Sequence, residues 1–523
     1  MHYIKEALIM AIPEEIRKVE RPKNTIVREN RNGGRFRYMV IERVGCKRVN
    51  GKNIPINGKT IGHIIDGVYV EGRRKLSERS ITLKDWGEYA LFSTLGQSIL
   101  DELKAVYDLK DAEKMYTIAL LRIARPDIPD YMLSDAYERS WLSFLFPNTA
   151  LDKNTVSKLL GDIGRDYAGI VEFMRNRVKA FACDHNIAID GTIKNDTSIC
   201  NTFSKPSRKS REKGCMNISV LYAFDVETGE PICEKALPGN VIDSVAYKGF
   251  LEDNQLKEGV VLADKGFPYK KAKSVFGDNK KLHWLNPLKR NDKRIEENDM
   301  YSYTGCFKDK NLDVQWKKVK VGNLYLYSFY NRSLAAKEEY DYFRRHKNAD
   351  EYDKEQWKKA SRQFGTIVFE SDLDLPPEVI YKMYLERWTV EECFRTYKQI
   401  LNFDDTRVHS DASIHGTEFI NFLSTCITMR VRKKLEATGL YDDYTYRQIM
   451  DLVSSAKKVK LSSDEEWTMP TITLKAANVL KTLGLIDEIP DNNDAVEEAE
   501  ETTETKKTKN KKSTKKAKDK KPE

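Results

Sequence analysis

The sequence predicts a mixed α/β protein: a catalytic-type mixed sheet interrupted by a β-rich insertion, preceded by a β-rich module and a helical module. Three observations carry this. Short apolar strands alternate with helical spacing between residues 186 and 285. Two of those strands run into an aspartate. The pattern then gives way to a Tyr- and Lys-rich β stretch before a last strand and a long amphipathic helix resume it.

Composition is compatible with that class. Of 523 residues, 40% are hydrophobic and 32% charged, which excludes fibrous or wholly disordered chains. The longest apolar runs, Ala7–Ile12 and the stretch around Phe419–Met429, fall short of the roughly 20 residues a bilayer helix needs. The N-terminus also lacks the pattern of a signal peptide, so a cytoplasmic protein with no membrane partner is expected. The eight cysteines form no C-x-x-C pair, which points away from zinc knuckles and disulfide frameworks. Lys+Arg exceed Asp+Glu by 9, and the excess is concentrated in Arg17–Arg37 and Lys506–Glu523.

The elements follow in order. Residues 1–85 read as a β-rich module, with alternation over Phe36–Val44 and Ile61–Val70 and hairpin-type pairs at Asn50-Gly51 and Asn57-Gly58. Residues 86–181 carry helical spacing (Leu91, Leu95, Ile99, Leu103, Val106) punctuated by prolines. Residues 182–290 give strands at 186–193, 218–224 and 231–237, a helix at 241–255, a strand running into Asp264, a short helix, and a strand at 281–285. This β-β-β-α-β-α-β order is that of a ribonuclease-H-like sheet, in which parallel and antiparallel strands mix. Residues 291–363 form the β-rich insertion, ending in a charged helical piece over 334–362. Residues 364–487 complete the domain, with a strand at 366–369, Pro376-Pro377 opening a helix that runs to about Leu401, and a helix over 418–438 stopped by Gly439. Residues 488–523, acidic and then lysine-rich, read as a disordered tail.

Asp190 and Asp264 each close an apolar strand and are each followed by a glycine within two residues, where an α/β sheet presents reacting groups. Acids at strand ends are more often caps, so the long helix is needed to sharpen the case. Tyr384, Arg387, Glu391 and Lys398 are spaced 3, 4 and 7, which in an α-helix puts them on nearly one face. An exposed face with an ordinary Arg387–Glu391 pair is the plain alternative. A phenol, a carboxylate and two long cations together suit a phosphodiester held against a metal ion.

These residues resemble a known signature. Tyr384-x2-Arg387-x3-Glu391-x6-Lys398 is similar in every spacing to the Y-R-E-K motif of DDE transposases of bacterial insertion sequences, the large family numbered four and its close relatives. Ala263-Asp264-Lys265-Gly266-Phe267 resembles that family's second-aspartate motif, with Lys265 where Arg is usual. Ile189-Asp190-Gly191-Thr192 resembles its first. The resemblance covers about residues 180–435 and implies that Asp190, Asp264 and Glu391 are the catalytic, metal-binding triad for two Mg²⁺, with Mn²⁺ as a substitute. It implies that Tyr384, Arg387 and Lys398 grip DNA near the cleavage point. The partners it implies are double-stranded DNA, as element ends and target, and a second copy of the chain in the DNA complex. The expected activity is cut-and-paste transposition: binding of terminal inverted repeats, strand cleavage and strand transfer. A catalytically inactive DNA-binding descendant and a ribonuclease-H-like nuclease are the alternatives.

Two further features have a DNA reading beside a bland one. Lys265 and the basic run with Arg208, Lys209 and Arg211 suit phosphate contacts as well as a solvated loop. Trp316, Tyr301 and Tyr303 suit base stacking as well as core packing. His185, near Asp190, suits a proton carrier but reads more readily as a structural residue, and His409 and His415 lack the companion ligands a metal site needs. The 1–85 and 86–181 modules are both candidates for reading the DNA ends.

Overall fold

The computed structural model describes residues 12–30, 36–49, 52–71, 81–181, 186–208, 210, 214–241, 243–262, 269–276, 279–309, 312–346, 353–461 and 466–489. The expectations placed on Asn50-Gly51, His185, Lys209, Arg211, Asp264, Lys265 and the tail beyond residue 489 lie outside the described residues. The chain divides into two compact units, 1–82 with 460–467 and 83–459 with 468–523.

The first unit is a short helix, α1 (Glu14–Lys18), and a four-stranded antiparallel sheet of β1 (Thr25–Glu29), β2 (Tyr38–Val49), β3 (Lys52–Ile65) and β4 (Val68–Glu71), in that order. Its small core is Val27, Val40 and Ile64, with Ile12, Ile16 and Val19 packed on them. Asn57-Gly58 makes no hairpin turn. It lies inside β3 where the β2–β3 register slips between Ile41 and Gly45, a bulge rather than a reversal. A Cβ on Gly58 would come within 2.6 Å of the Val44 side chain, so the irregular pairing needs the bare backbone.

The second unit is α/β with one mixed sheet. After β5 (Ile81–Asp85), a helical layer is built from α2 (Gly87–Lys104), α3 (Leu109–Ala124), α4 (Leu133–Arg139), α5 (Leu142–Leu145), α6 (Lys153–Arg165) and α7 (Tyr167–Phe181). Asp108 and Asp152 cap α3 and α6 by accepting backbone N–H bonds. The sheet-forming segment follows: β6 (Asn186–Asp196), β7 (Lys205–Pro206), β8 (Met216–Asp225), β9 (Pro231–Pro238), α8 (Asp243–Asn254), β10 (Gly259–Leu262), α9 (Tyr269–Phe276) and β11 (Leu282–Pro287). In space these strands run β9-β8-β6-β10-β11, with β9, β8 and β6 antiparallel and β6, β10 and β11 parallel.

The stretch after β11 does not leave this sheet. It contains α10 (Lys293–Glu297), β12 (Gly305–Asp309), β13 (Leu312–Val321), β14 (Leu324–Tyr330), α11 (Arg332–Arg345), α12 (Lys354–Ser361) and β15 (Thr366–Ser371). Strand β15 pairs antiparallel with β11 on one edge and β14 on the other, so β14, β13 and β12 continue the same sheet outward. The charged piece expected over 334–362 is two helices, the second capped by Asp353.

The helix expected over 378–401 is also divided. Pro377 opens α13 (Pro377–Glu386), α14 (Trp388–Arg395) follows, and residues Thr396–Ile400 form a π turn in which Leu401 N–H donates to Thr396 O. The rest is β16 (Asp405–Thr406), α15 (Asp411–Ala437), α16 (Tyr446–Ser454), β17 (Lys457–Leu461), which pairs with β5, and α17 (Leu474–Leu483). Helix α15 starts earlier than its periodicity suggests because Ser410 caps it, and it ends before Gly439 in the left-handed region (φ 71°).

Helix α15 organises the unit. From Gly416 to Met429 every residue is buried, the mark of a helix enclosed on all sides. Its hydroxyls are accommodated by back-bonding: Ser424, Thr425 and Thr428 donate to the carbonyls of Ile420, Asn421 and Ser424. It crosses α6 at two reciprocal glycines. A Cβ on Gly416 would lie 2.0 Å from Leu160 O, and one on Gly164 would lie 1.7 Å from Ala412 O. Gly416→Ala should therefore cost about 1–3 kcal/mol or more, because the obstacle is backbone and two helices must separate. Urea unfolding checks this, and a change below a few tenths of a kcal/mol would show that the crossing is not tight.

Candidate active site

Strand β6 sets the site. Its side chains alternate, so Ala188, Asp190, Thr192 and Lys194 share one face and Ile187, Ile189 and Ile193 the other. Asp190 stands opposite Tyr222 of β8. Tyr222 is fully buried beneath Phe394 of α14, Tyr397 of the π turn and Phe422 of α15, with ring centroids 5.8–5.9 Å away. Directly paired residues lie on the same side of a sheet. Asp190 therefore occupies the face that α14 and α15 cover. It is only half-buried, and its Oδ1 accepts the Gly191 N–H at 2.8 Å.

Strand β10 arrives on the free side of β6, with Val260, Val261 and Leu262 paired to Asn186, Ile187 and Ala188. Leu262 stands two residues before Asp264, and its partner Ala188 stands two residues before Asp190. Asp264 and Lys265 themselves lie outside the described residues. Farther along the same side, β16 pairs with Asn195 and Asp196.

Helix α14 presents Val390, Cys393 and Phe394 inward, and the π turn adds Tyr397. Glu391 is one turn ahead of Phe394, whose ring lies on Tyr222 and Phe224. Its side chain is 52% exposed, and its charge is met by Arg387 only at 3.8 Å. Its neighbour Glu392 is engaged: Arg432 of α15 donates to its Oε1, and Arg395 lies 3.5 Å away. Of two adjacent glutamates, the fold ties one down and leaves the other facing out.

Tyr384, Arg387 and Glu391 precede the π turn, and Lys398 lies within it, so the regular α-helical spacing does not extend to Lys398. Tyr384 packs its ring on Phe369 at 4.5 Å. Lys398 donates to Ile193 O at 2.7 Å and lies 3.6 Å from Asp404, so the end of this run is fastened to the strand that carries Asp190. Arg208 is exposed after β7, and Lys209 and Arg211 lie outside the described residues. Tyr303 bonds to Thr366 and the guanidinium of Arg362 lies over the Tyr301 ring.

Two partners of the site escaped sequence reasoning. Lys194, four residues after Asp190 and on its face, donates to Glu418 Oε1 at 2.6 Å, with both side chains 1% exposed. A lysine at an inward position of an apolar strand was the available signal, but its partner is 224 residues away. Arg432, which holds Glu392, carried no signal at all.

Asp190 and Glu391 are solvent-reachable carboxylates, the donor type that a hard divalent cation takes. Among the described residues no three His, Cys, Asp or Glu side chains form a metal-holding group, and the third acid of the expected set is not among them.

Residues 183–427 match the transposase DDE domain. The matched segment begins just ahead of β6 and ends within α15, slightly under half of the chain, and it contains Asp190, Asp264 and Glu391. The match supports a DDE transposase, a DNA-acting enzyme. No curated protein matches the chain. A piggyBac transposase, solved by cryo-electron microscopy as a synaptic complex with hairpin DNA, aligns at 12% identity and a TM-score of 0.36 over 70% of this chain and 78% of that one. No helix among the described residues is long and apolar enough to cross a membrane.

Breaking the sealed pair beneath the site should be costly. Lys194→Met leaves Glu418 buried without its cation and should lose about 3–5 kcal/mol. The double variant K194M/E418L should recover part of that loss. Denaturant unfolding of both variants checks the pair, and equal stability of wild type and K194M would remove it as a constraint.

Proposed function

We propose that this chain is a DNA transposase that binds the terminal inverted repeats of an insertion sequence, cuts the strands at those ends and joins them to target DNA. The observation that carries this reading is the pairing of Ala188 with Leu262, which sets β6 and β10 side by side in parallel, with Asp190 and Asp264 each two residues farther along the sequence from the paired positions. The carboxylate of Glu391, on the helix that covers the Asp190 face, completes the set. The Y-R-E-K spacing and the match over residues 183–427 support the same reading.

In this reading Asp190, Asp264 and Glu391 hold two Mg²⁺, or Mn²⁺ in their place. When bound, such ions activate the attacking water or 3′-hydroxyl and stabilise the leaving oxygen. The chain's own side chains position the DNA. Arg387 and Lys398 donate to phosphate oxygens, and the Tyr384 hydroxyl contacts the same backbone. Lys398 is now spent on Ile193 O and Asp404, contacts that a phosphate would displace. Arg432 keeps Glu392 away from the DNA and so leaves Glu391 as the acid on that helix. Lys265, Arg208, Lys209 and Arg211 add phosphate contacts. Two ends must be processed together, so the active species is a dimer on DNA, and the protein works in the cytoplasm at the nucleoid.

The test uses DNA from the two borders of the reading frame, where this reading places the inverted repeats, with Mg²⁺ present. Asp190→Asn, Asp264→Asn or Glu391→Gln should cut cleavage by about a thousandfold or more while binding to the repeats stays within about threefold. Glu392→Gln should keep measurable cleavage. Wild-type cleavage rates in the Asp190 or Glu391 variant would sink the assignment.

A further inference from the structure

The strands of the first unit are of unequal reach. Strand β1 pairs with Tyr38–Glu42 of β2, and β4 pairs with Gly62–Ile65 of β3, so the flanking strands stop there. Arg43 N–H still donates to Asn24 O at 2.8 Å. Farther out, among the described residues, β2 and β3 pair only with each other, from Arg43 opposite Asn57 to Val49 opposite Lys52. At about 3.4 Å per residue, Val44–Val49 and its partner carry a two-stranded ribbon about 20 Å past the sheet.

The described part of this ribbon is uncovered. Arg43–Cys46, Ile56, Asn57, Lys59 and Thr60 are all exposed, with Val44 at 60% and Ile56 at 42%. A lone two-stranded ribbon buries too little to be stable by itself in water, which points to a partner. Composition says what kind. From Arg43 to Ile65 there are five lysines or arginines and no aspartate or glutamate. The ion pairs Lys18–Glu14 and Arg37–Glu29 of the same unit lie outside this stretch. A cationic ribbon suits a polyanion.

A protein strand fits less well. Bulges, lysines and proline are the features that keep a sheet edge from pairing with another chain, and this ribbon has register slips between Val40 and Gly45, together with Lys52, Pro55 and Lys59. Two backbones about 5 Å apart with side chains on both faces make a rod about 10 Å thick. The major groove of B-form DNA, about 12 Å wide, admits such a rod. The major groove of double-stranded RNA is too narrow.

One cross-strand pair can read sequence. Arg43 and Asn57 stand directly opposite and are both exposed, and directly paired residues share a face. Arginine bonds bidentately to O6 and N7 of guanine, and asparagine to N6 and N7 of adenine. Resting on the transposase reading, we propose that the β2–β3 ribbon enters the major groove of the element's terminal repeats. Arg43 and Asn57 bond to base edges there, while Lys59 and the other cations of the ribbon meet the phosphates beside the groove.

Full-length protein is titrated by fluorescence anisotropy with three duplexes of equal length: DNA from a border of the reading frame, scrambled DNA of the same composition, and RNA of the border sequence. Arg43→Ala and Asn57→Ala should each lower the preference for border over scrambled DNA about tenfold. Arg43→Lys, which keeps the charge and loses the fork, should lose that preference and keep the affinity for scrambled DNA. Lys59→Ala should weaken both DNAs alike and lower the slope of log affinity against log salt by about one. All four variants should melt with the wild type, since these side chains are exposed. Methylation of guanine N7 should weaken binding of border DNA, and the minor-groove ligand netropsin should not. Tighter binding of the RNA, inhibition by netropsin with no effect of methylation, or an unchanged border preference in the Arg43 and Asn57 variants would overturn the ribbon. If the wild type still prefers and cuts border DNA in those cases, the transposase reading stands without it. If the wild type neither prefers nor cuts border DNA, the transposase reading falls and the ribbon with it.

Discussion

Everything near the candidate site is referenced to a single sealed charge pair, Lys194 with Glu418. Neither side chain is reached by solvent, and Glu418 also accepts from the Tyr397 hydroxyl and from Asn421. Two ions withdrawn from water gain stability only when their geometry is good and their remaining lone pairs are bonded. Here they are, and the result is a three-way junction of β6, α15 and the π turn. The next residue after Tyr397 is Lys398, which reaches back to β6 at Ile193. The strand bearing Asp190 and the helical run bearing Glu391 are thus clamped a few residues beyond the site, while the acids themselves stay open to solvent.

The same interior holds one more acid. Glu234 of β9 lies opposite Tyr222, fully buried. Burial pushes its carboxyl well above the usual range, the nearby Glu418 charge pushes it the same way, and Lys194 and Lys235 oppose. Its neutral form is thus favoured more than that of an exposed carboxyl, beside the matched Lys194–Glu418 pair. An ionised Glu234 would leave a second negative charge in low dielectric with no cation of its own, an arrangement that costs several kcal/mol in general.

Much of the sheet was readable because strand signals are local. The β-β-β-α-β-α-β order appears as β6, β8, β9, α8, β10, α9 and β11 within a few residues of the expected bounds, since apolar runs and their spacing act over short range. Asp190 does not close its strand as expected, because pairing with β8 carries β6 on past it to Asp196. What was not readable depends on distant partners. Asn57-Gly58 has the dipeptide of a tight turn, but its pairing with β2 sets a bulge instead. Periodicity marks residues 378–401 as one helix. The π turn arises where Tyr397 meets Glu418 and Lys398 meets Ile193, contacts that span 21 and 205 residues. The strands at 312–330 look like an insertion in the linear order, yet hydrogen bonding through β15 joins them to the central sheet.

The adjacent Glu391 and Glu392 show how a fold selects one of two chemically identical groups. Neighbours on a helix are about 100° apart, so both cannot face the same surroundings. Glu392 turns toward α15, where Arg432 anchors it, and Arg395 adds a second cation. A carboxylate held by two guanidinium groups is a poor ligand for anything else, because a newcomer must first break charge-assisted bonds. Glu391 has only a long contact to Arg387, and its side chain remains half exposed. Spacing alone favours Glu391 through its distances to Tyr384, Arg387 and Lys398, but that inference weighs a pattern. The ion pair at Glu392 supplies a physical cause for the same choice, because the residue that the helix ties down is the one removed from chemistry.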